Sequence, residues 1–421
     1  MDISSTSLIG RGTWLLRKWS RHIWVRASLF SVAAIATAVL AAVAAPYIPA
    51  DIQIKLAADS VGGILNILAS SMLAVTTFSL SIMVSAYSSA TSNVTPHSIK
   101  LLLSDSVAQN TLATFIGSFL FSIVGIIGLA AGLYSDSGRI ILFLATLGVI
   151  LIITAALLRW IDQLGKFGRV GDTITRVERA TIPPLCQWGQ TPRLGACPAI
   201  AIPATARRVT AASIGHVHHI DMEELAAIAE DHELTIHIEA LPGSYVHPER
   251  PVARVEGMLD DKTGEAIMEC FSVGKDREYD QDPRFGLIVL SEIASRALSP
   301  AVNDPGTAIE VIGAGLRALL AYGTAYGERN GDRFARLHGP DLAVGDLFDA
   351  FFNPIARDGA ALVEVQMRIQ FALEALARNA PDLFGAAARE QSARALARSD
   401  EALAAGHDRS VLATRGAWAA E

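Results

Sequence analysis

The amino-acid sequence predicts an integral membrane α-helical N-terminal half with four spans, followed by a cytoplasmic α+β domain with a helical C-terminal part. The chain of 421 residues is 51% hydrophobic and 18% charged, and its mean hydropathy of +0.36 is high for a soluble protein. Four apolar runs before Arg159 are each about 20 residues long, which is enough for an α-helix to cross a bilayer. From Ile161 onward the composition is that of a soluble domain.

The four predicted spans lie at residues 27–47, 61–86, 111–133 and 140–158, within a transmembrane domain of residues 1–160. Basic residues and tryptophans precede the first span, as they do at a membrane interface. Its apolar run is longer than the core of a usual signal peptide, which favours an uncleaved span over a cleaved leader.

Lysine and arginine are distributed unequally between the two sides that four spans define. Five of them precede the first span and five follow Leu158 closely, whereas the two outer loops hold only Lys55 and Arg139. Cytoplasmic loops carry such an excess, so both termini are predicted to be cytoplasmic. No Asp, Glu, Lys or Arg lies well inside any predicted span, which disfavours a proton-coupled transporter.

The remainder of the chain is predicted to have three parts. Residues 161–207 form a connecting helix and a proline-rich linker, which begins near Thr181. Residues 208–280 form a small α+β unit, with strands at residues 212–220, 234–239, 251–256 and 265–271 and a helix at residues 222–231 that Asp221 caps. Residues 281–421 form a helical domain with a disordered tail.

The second span is rich in hydroxyl groups. Four of them share one helical face and are candidates for lining a pore: Ser70, Thr77, Ser81 and Ser88. Serine and threonine also pack membrane helices closely, so a wet pore and an ordinary helix contact both remain open. The small and hydroxyl residues of the second and third spans exceed what one four-helix bundle must bury, which predicts a homo-oligomer.

Residues 281–308 are predicted to form a helix, a break and a second helix. Pro300 ends the first helix, since proline cannot donate to the helical ladder, and Asp304 caps the second. Polar residues are expected to converge where the helices meet, as a structural hub or a binding site for an anionic ligand: Gln281, Asp282, Arg284, Glu292, Arg296, Ser299, Asn303, Asp304 and Thr307. A simple Arg296–Glu292 pair within one helix also remains open.

Three stretches resemble the pattern of one bacterial membrane-protein family. The first, from Phe285, reads FGLIVLSEIASRALSPAVNDPGTA, and the second, from Ser71, reads SMLAVTTFSLSIMVSAYSSATSNVTPHSIKLLLSDSVAQNTLATFIGSFLFS. The third, from Gly345, reads GDLFDAFFNPIARDGAALVEV. The chain thus resembles the family called domain of unknown function 2254, although its second stretch has Asn93, Val94 and His97 where we expect Gln, Phe and Arg.

This resemblance implies a bacterial inner-membrane protein with a membrane-embedded N-terminal half and a soluble C-terminal half. It implies no reaction. The residues themselves agree, since the signatures HExxH, GxSxG, CxxC and the P-loop do not occur. The sequence therefore predicts no enzymatic activity and no cofactor.

Two further partner classes are disfavoured by the residues. A net charge of −7 gives no support to nucleic-acid binding. Six of the ten histidines lie between residues 216 and 247, but no carboxylate or cysteine completes a metal-ligand spacing, so no metal site is predicted and a solvated sheet face is expected.

The function predicted from the sequence is that of an oligomeric channel-like pore or passive permeation protein with a cytoplasmic regulatory domain. Its predicted partners are the lipid bilayer, further copies of the chain, and a small ion or anionic ligand. The alternative is a ligand-sensing or scaffold membrane protein without transport activity.

Overall fold

The structure, a computed structural model, describes residues 23–43, 58–93, 95–103, 106–165 and 169–420. Predictions for residues 1–22 and for the loop that holds Lys55 lie outside these residues. Contacts divide the described residues into two compact units, one that ends at Asp172 and one that begins at Thr173. We call the first the membrane unit and the second the C-terminal unit, and each is described by itself.

The membrane unit consists of apolar helices. They are α1 (Ile23–Val43), α2 (Ala58–Asn93), the short α3 (Pro96–Leu103), α4 (Ser106–Ala130) and α5 (Asp136–Leu164). Three described segments here are long and apolar enough to cross a membrane, Ser60–Ser85, Val107–Ala130 and Gly138–Leu164. Together with α1, which has 21 residues, they give the N-terminal half the four apolar helices that the sequence predicts.

Helix α2 is longer than the predicted second span. It has 36 residues and continues to Asn93, because no proline or glycine occurs after Gly63 to interrupt it. The hydroxyl-bearing segment therefore extends beyond the stretch of α2 that is apolar enough to span a membrane.

Helices α2, α4 and α5 pack through two apolar clusters. One contains Phe115 and Trp160, and the other contains Phe121 and Leu142, each at most 4% exposed. Gly117 of α4 lies against α1, where an added Cβ would come within 3.2 Å of the Phe30 carbonyl oxygen. Small residues that allow such close approach are the usual means of packing helices in lipid.

Helix α6, Val170–Gln190, corrects the predicted linker. The sequence places a proline-rich linker from Thr181, but the helix continues through Pro183 and Pro184. Its buried face, which includes Leu185 and Trp188, offsets the backbone hydrogen bonds that the two prolines cannot make. A short turn at Pro192–Gly195, in which Arg193 and Leu194 both have a φ of 56°, then leads directly into the first strand.

Two small sheets form the α/β part of the C-terminal unit. The strands are β1 (Ala196–Pro198), β2 (Arg207–Thr210), β3 (Gly215–Ile220), β4 (Thr235–Ile238), β5 (Tyr245–Val246), β6 (Pro251–Glu256), β7 (Phe271–Gly274) and β8 (Phe334–Gly339). The first sheet has the order β1-β8-β4-β6-β2, in which β6 is antiparallel to both neighbours. The second has the order β5-β3-β7 and is antiparallel.

The predicted helix after Asp221 is confirmed as α7, Met222–Asp231, and the Asp221 carboxylate accepts a hydrogen bond from the Glu224 amide at 3.2 Å. The predicted strand at residues 265–271 is wrong, because α8 (Asp261–Glu269) occupies most of it. Asp260 caps α8 by accepting from the Thr263 amide at 2.7 Å. A short apolar run fits strand and helix equally well by periodicity, and here the cap favours the helix.

The C-terminal helices are α9 (Phe285–Ala297), α10 (Pro305–Gly327), α11 (Val344–Asp358), α12 (Val363–Asn379), α13 (Pro381–Ala402) and α14 (Gly406–Gly416). Strand β8, between α10 and α11, is not predicted from the sequence. The predicted disordered tail is instead α14 and a 3₁₀ turn at Ala417–Ala420. Leu412 is buried there, and Gly416 lies against Leu396.

Helix α10 also meets the length and hydropathy requirement of a membrane span, but it packs within the C-terminal unit. One face is buried, with Val311, Ile312, Ala318 and Leu319 fully enclosed. Arg317 pairs with Glu178 of α6 at 2.6 Å. Gly315 packs so closely against Phe351 of α11 that an added Cβ would overlap the ring. These contacts describe a core helix of a folded domain.

Replacing Gly315 with alanine is expected to lower the free energy of unfolding by about 1–3 kcal/mol, because the methyl group overpacks a filled core. Gly313→Ala is the matched control, since an added Cβ there lies 3.5 Å from the end of the Arg317 side chain, an ordinary contact. The control is expected to raise stability by about 0.5–1 kcal/mol, because glycine is unfavourable within helices. Equal melting temperatures for the two variants in detergent would contradict this packing.

Candidate functional site

The predicted break between α9 and α10 is present as a hydrogen-bonded turn. The amide of Asn303 donates to the Ser299 carbonyl at 2.8 Å, and the amide of Asp304 donates to the Ala297 carbonyl at 2.8 Å. Asn303 has a φ of 49°, in the left-handed region that asparagine enters more readily than most residues. The break therefore has a defined backbone geometry.

Asp304 caps α10 as predicted. Its carboxylate accepts hydrogen bonds from the Thr307 amide at 3.0 Å and from the Thr307 hydroxyl at 2.6 Å. These bonds hold the pKa of the Asp304 carboxyl below its usual range. Because this carboxylate occupies the N-terminus of α10, an anionic ligand at the same position would meet a negative charge.

The other candidates of the predicted hub are spread along α9. Glu292 and Arg296 are half-buried, and neither is without an interaction partner. The Ser299 hydroxyl donates to the Arg296 carbonyl at 2.7 Å. Arg284 lies at the opposite end of α9, 3.6 Å from a carboxylate oxygen of Asp346.

Convergence of all these residues at one point is not observed. The 13 residues of α9 separate its two ends by about 20 Å, at 1.5 Å per residue. Gln281, Asp282 and Arg284 therefore belong to one polar cluster, and Ser299, Asn303 and Asp304 belong to another. The expectation failed because it counted residues near the break without allowing for the length of the helix between them.

The cluster at the start of α9 is the more deeply buried. The Asp282 side chain is 1% exposed, and its carboxylate accepts two hydrogen bonds from the Arg277 guanidinium, at 2.8 and 2.6 Å. It also accepts from the amides of Arg284 and Phe285, at 3.0 and 3.2 Å. Sequence reasoning missed Arg277. An aspartate before a helix is a signal for a cap, but that signal does not identify the side chain that pairs with the aspartate.

The hydroxyl stripe of α2 lies on the outer surface of the membrane unit. Its four predicted members are all exposed: Ser70, Thr77, Ser81 and Ser88. Buried residues define the opposite face of the helix: Val61, Leu65, Met72 and Met83. The described helices of one chain therefore do not enclose the stripe.

Three of the four predicted hydroxyl groups of the stripe form hydrogen bonds within α2. Ser70 donates to the Asn66 carbonyl at 3.0 Å, Thr77 to the Ala74 carbonyl at 2.9 Å, and Ser81 to the Thr77 carbonyl at 3.0 Å. Each oxygen keeps lone pairs that can accept a further hydrogen bond. These three residues can therefore face water or pack against another helix without leaving a hydroxyl hydrogen unpaired.

Sequence reasoning missed Asn66, which extends the stripe by one turn. Asn66 is exposed and precedes Ser70 by four residues. Positions 66, 77 and 88, and positions 70 and 81, repeat every 11 residues. Eleven residues make slightly more than three whole helical turns, so the stripe runs nearly straight along α2.

One hydroxyl of α2 points inward. Ser79 is 3% exposed, and its oxygen has no hydrogen-bond partner among the described residues. It borders a small cavity between α2, α4 and α5 that Thr111 and Trp160 also line. This residue lies on the packed face of the helix and not on the stripe.

The histidine-rich segment is not the solvated face that the sequence predicts. His218, His219 and His237 are buried, and His237 lies on β4, in the middle of the five-stranded sheet. His237 Nε2 is 2.5 Å from a carboxylate oxygen of Glu256, and its ring stacks on His338. Within the described residues, no group of three or more His, Cys, Asp or Glu side chains is placed to hold a metal ion.

A family model described as "Predicted membrane protein (DUF2254)" matches residues 20–375. This chain belongs to that family. The resemblance inferred from its three sequence stretches is thereby confirmed, and the protein is a membrane protein whose family name states no activity.

Two mycobacterial relatives are each named as an uncharacterized protein. A protein of Mycobacterium bovis and one of Mycobacterium tuberculosis are each 25% identical to it over 262 residues, which is 59% of this chain and 50% of each relative. The chain thus spans about half the length of the curated relatives it matches. No solved structure matches it significantly.

Replacing Asp304 with alanine is expected to cost about 1 kcal/mol of stability, because α10 loses its cap. Asp304→Asn is the matched control, since asparagine caps equally well. The folded-state pKa of Asp304 is depressed, so its charge contributes stability above the usual carboxyl range, and that contribution is lost as the pH falls through the folded-state pKa. As the pH is lowered, the melting temperature should therefore fall more steeply for the parent than for Asp304→Asn. Parallel curves would contradict this contribution of the Asp304 charge.

Proposed function

We propose that this protein is a homo-oligomer of the bacterial inner membrane in which the α2 helices of neighbouring copies line a narrow permeation path. In this proposal the C-terminal unit lies in the cytoplasm and regulates the path. The observation that carries the proposal is the orientation of the stripe, whose polar face is opposite the face that packs on the unit's own core. A polar face on the outside of an apolar helix fits water or another protein surface better than lipid, because its oxygens keep lone pairs for which lipid offers no hydrogen-bond donor.

The proposed permeant is a small ion or a small polar solute. The side chains of the stripe are hydroxyls and, at Asn66, an amide, and none carries a charge. Such a path would select by size and polarity, since a ring of fixed charges is what selects by the sign of the ion. The straight course of the stripe supports a path that follows α2 along its length.

A scaffold or ligand-sensing membrane protein is the second candidate function. Its support is that the hydroxyls of Ser70, Thr77 and Ser81 already bond to backbone carbonyls, which suits a dry helix–helix contact as well as a wet one. In this alternative the stripe joins neighbouring copies, and the turn between α9 and α10, with Arg296 beside it, is the site where a ligand acts.

Replacing Thr77 and Ser81 together with leucine is expected to abolish flux through the purified protein in liposomes, because isobutyl groups fill the path and exclude water. Phe78→Leu is the matched control, since Phe78 is 65% exposed on the same helix and lies outside the stripe. Its flux should equal that of the parent.

Two results would argue against the permeation path. A parent protein that carries no flux under any ion gradient or voltage would leave the scaffold alternative. A parent that runs only as a monomer by native mass measurement in mild detergent would remove both candidates, because each needs neighbouring copies.

The proposed orientation rests on the lysine and arginine asymmetry. A reporter fused after Glu421 is expected to behave as cytoplasmic, and one inserted at Leu133, between α4 and α5, as external. A reporter inserted at Thr95, between α2 and α3, is the control and should behave as cytoplasmic. The reverse pattern, or the same signal from all three sites, would contradict the orientation.

A further inference from the structure

The connection between β1 and β2 is an exposed loop of apolar residues. Every residue from 198 to 205 is exposed, with Ile200 at 50% and Ile202 at 36%. Its sequence is PAIAIPAT, in which threonine alone is polar. The exposed segment at residues 327–333 of the same unit reads GERNGDR and has four charged side chains. Contiguous exposed apolar surface of this kind marks an interaction site on a soluble domain.

The apolar loop is held at both ends. The carbonyl of Pro198 accepts a hydrogen bond from His338 at 2.9 Å, and the amide of Ala206 donates to the Pro203 carbonyl at 3.0 Å. Both prolines restrict the backbone. The isoleucines are therefore presented by an ordered loop, which lowers the entropic cost of binding.

Two arginines and a methionine accompany the loop. Arg207 and Arg208 follow it directly and are exposed. Arg207 lies opposite Val255 of β6 and donates to the Leu259 carbonyl, so it adjoins the turn that carries Met258, which is 96% exposed.

The positive charge of these arginines stays available. No acidic residue occurs between Pro198 and Arg208. Asp261 lies 3.3 Å from Arg207, but the Asp261 side chain is 95% exposed and that of Arg207 is 55% exposed. An ion pair this exposed contributes little, so it competes weakly with an anionic partner.

We propose that residues 199–205, with Arg207, Arg208 and Met258, dock on the surface of an anionic lipid bilayer. The apolar side chains enter the boundary between headgroups and acyl chains, and the guanidinium groups bind lipid phosphates. Apolar side chains flanked by basic ones are the combination that binds this boundary. The bilayer is the favoured partner because the chain belongs to a membrane-protein family, so a bilayer is tethered to the loop at high effective concentration. This docking does not depend on the proposed permeation path.

The test places an environment-sensitive fluorophore on the full-length protein in liposomes. Alanine replaces the three native cysteines, Cys186, Cys197 and Cys270. A single new cysteine is then introduced and labelled at Ile202 or, as the control, at Glu328 in the charged segment of residues 327–333. In liposomes with anionic lipid, a quencher carried at the headgroup–acyl boundary should quench the label at position 202 several-fold more than the control label, and aqueous iodide should quench it less. High salt or purely zwitterionic lipid should reduce the difference.

Two outcomes overturn the proposal. Iodide that reaches the label at position 202 as freely as the control label would show that the loop stays in water. A label protected from iodide but not quenched from the lipid would show that another protein surface, such as a second copy, covers the loop.

The unmodified protein supplies a second measurement that needs no cysteine replacement. Amide hydrogen exchange over residues 199–206 should be slowed several-fold by anionic lipid compared with zwitterionic lipid. Ile200→Asp with Ile202→Asp should abolish that slowing without changing the melting temperature, since both side chains are exposed. Exchange that is insensitive to lipid charge in the parent would overturn the proposal even if the labelled variants fail to fold.

Discussion

The buried carboxylate of Asp282 is the interaction on which the C-terminal unit depends. It accepts hydrogen bonds from the Arg277 guanidinium and from two amides at the start of α9. Gly243, with a φ of 85°, lies so close that any side chain there would overlap the carboxylate. A carboxylate that is removed from water is tolerated only when its oxygens are this fully paired. The pairing therefore ties the loop before β5, the loop after β7 and the start of α9 to one geometry.

The neighbouring Gln281 extends this connection to α6 and β3. Its side chain accepts from the Ile220 amide at 2.9 Å, and its carbonyl accepts from the indole of Trp188 at 2.9 Å. Trp188 is 2% exposed, and it lies in the part of α6 that follows Pro183 and Pro184. One dipeptide thus joins a helix, a sheet and the helical part of the unit. This explains why α6 continues through two prolines: its last turns are held by tertiary contacts and not by helix propensity.

Local signals in the sequence predicted local structure well. Pro300, Asp304 and Pro305 determine the break between α9 and α10 through backbone chemistry that needs no distant partner. Prediction failed where a residue distant in sequence determines the local structure. Asp282 is buried because Arg277 pairs with it, and His237 is buried because β8 pairs beside β4. Pro183 stays helical because Trp188 is anchored. For the stripe, the spacing of Ser70, Thr77 and Ser81 identified a common face, but periodicity alone does not say whether a face points inward or outward.

The two units satisfy their polar groups in different ways, and this difference bears on function. In the C-terminal unit, Asp282 and Gln281 bond to residues on other elements, so these groups hold the fold together and are not free for a ligand. On α2, the hydroxyls of Ser70, Thr77 and Ser81 bond, among the described residues, to the preceding turn of the same helix. They contribute little to the packing of their own unit, since the opposite face provides the buried apolar contacts. The described residues of one chain do not cover this polar surface, although it repeats along most of α2, and the proposed contact with neighbouring copies would account for it. That reasoning supports our proposal that the stripe, and not the α9–α10 turn, is the place where this membrane protein acts.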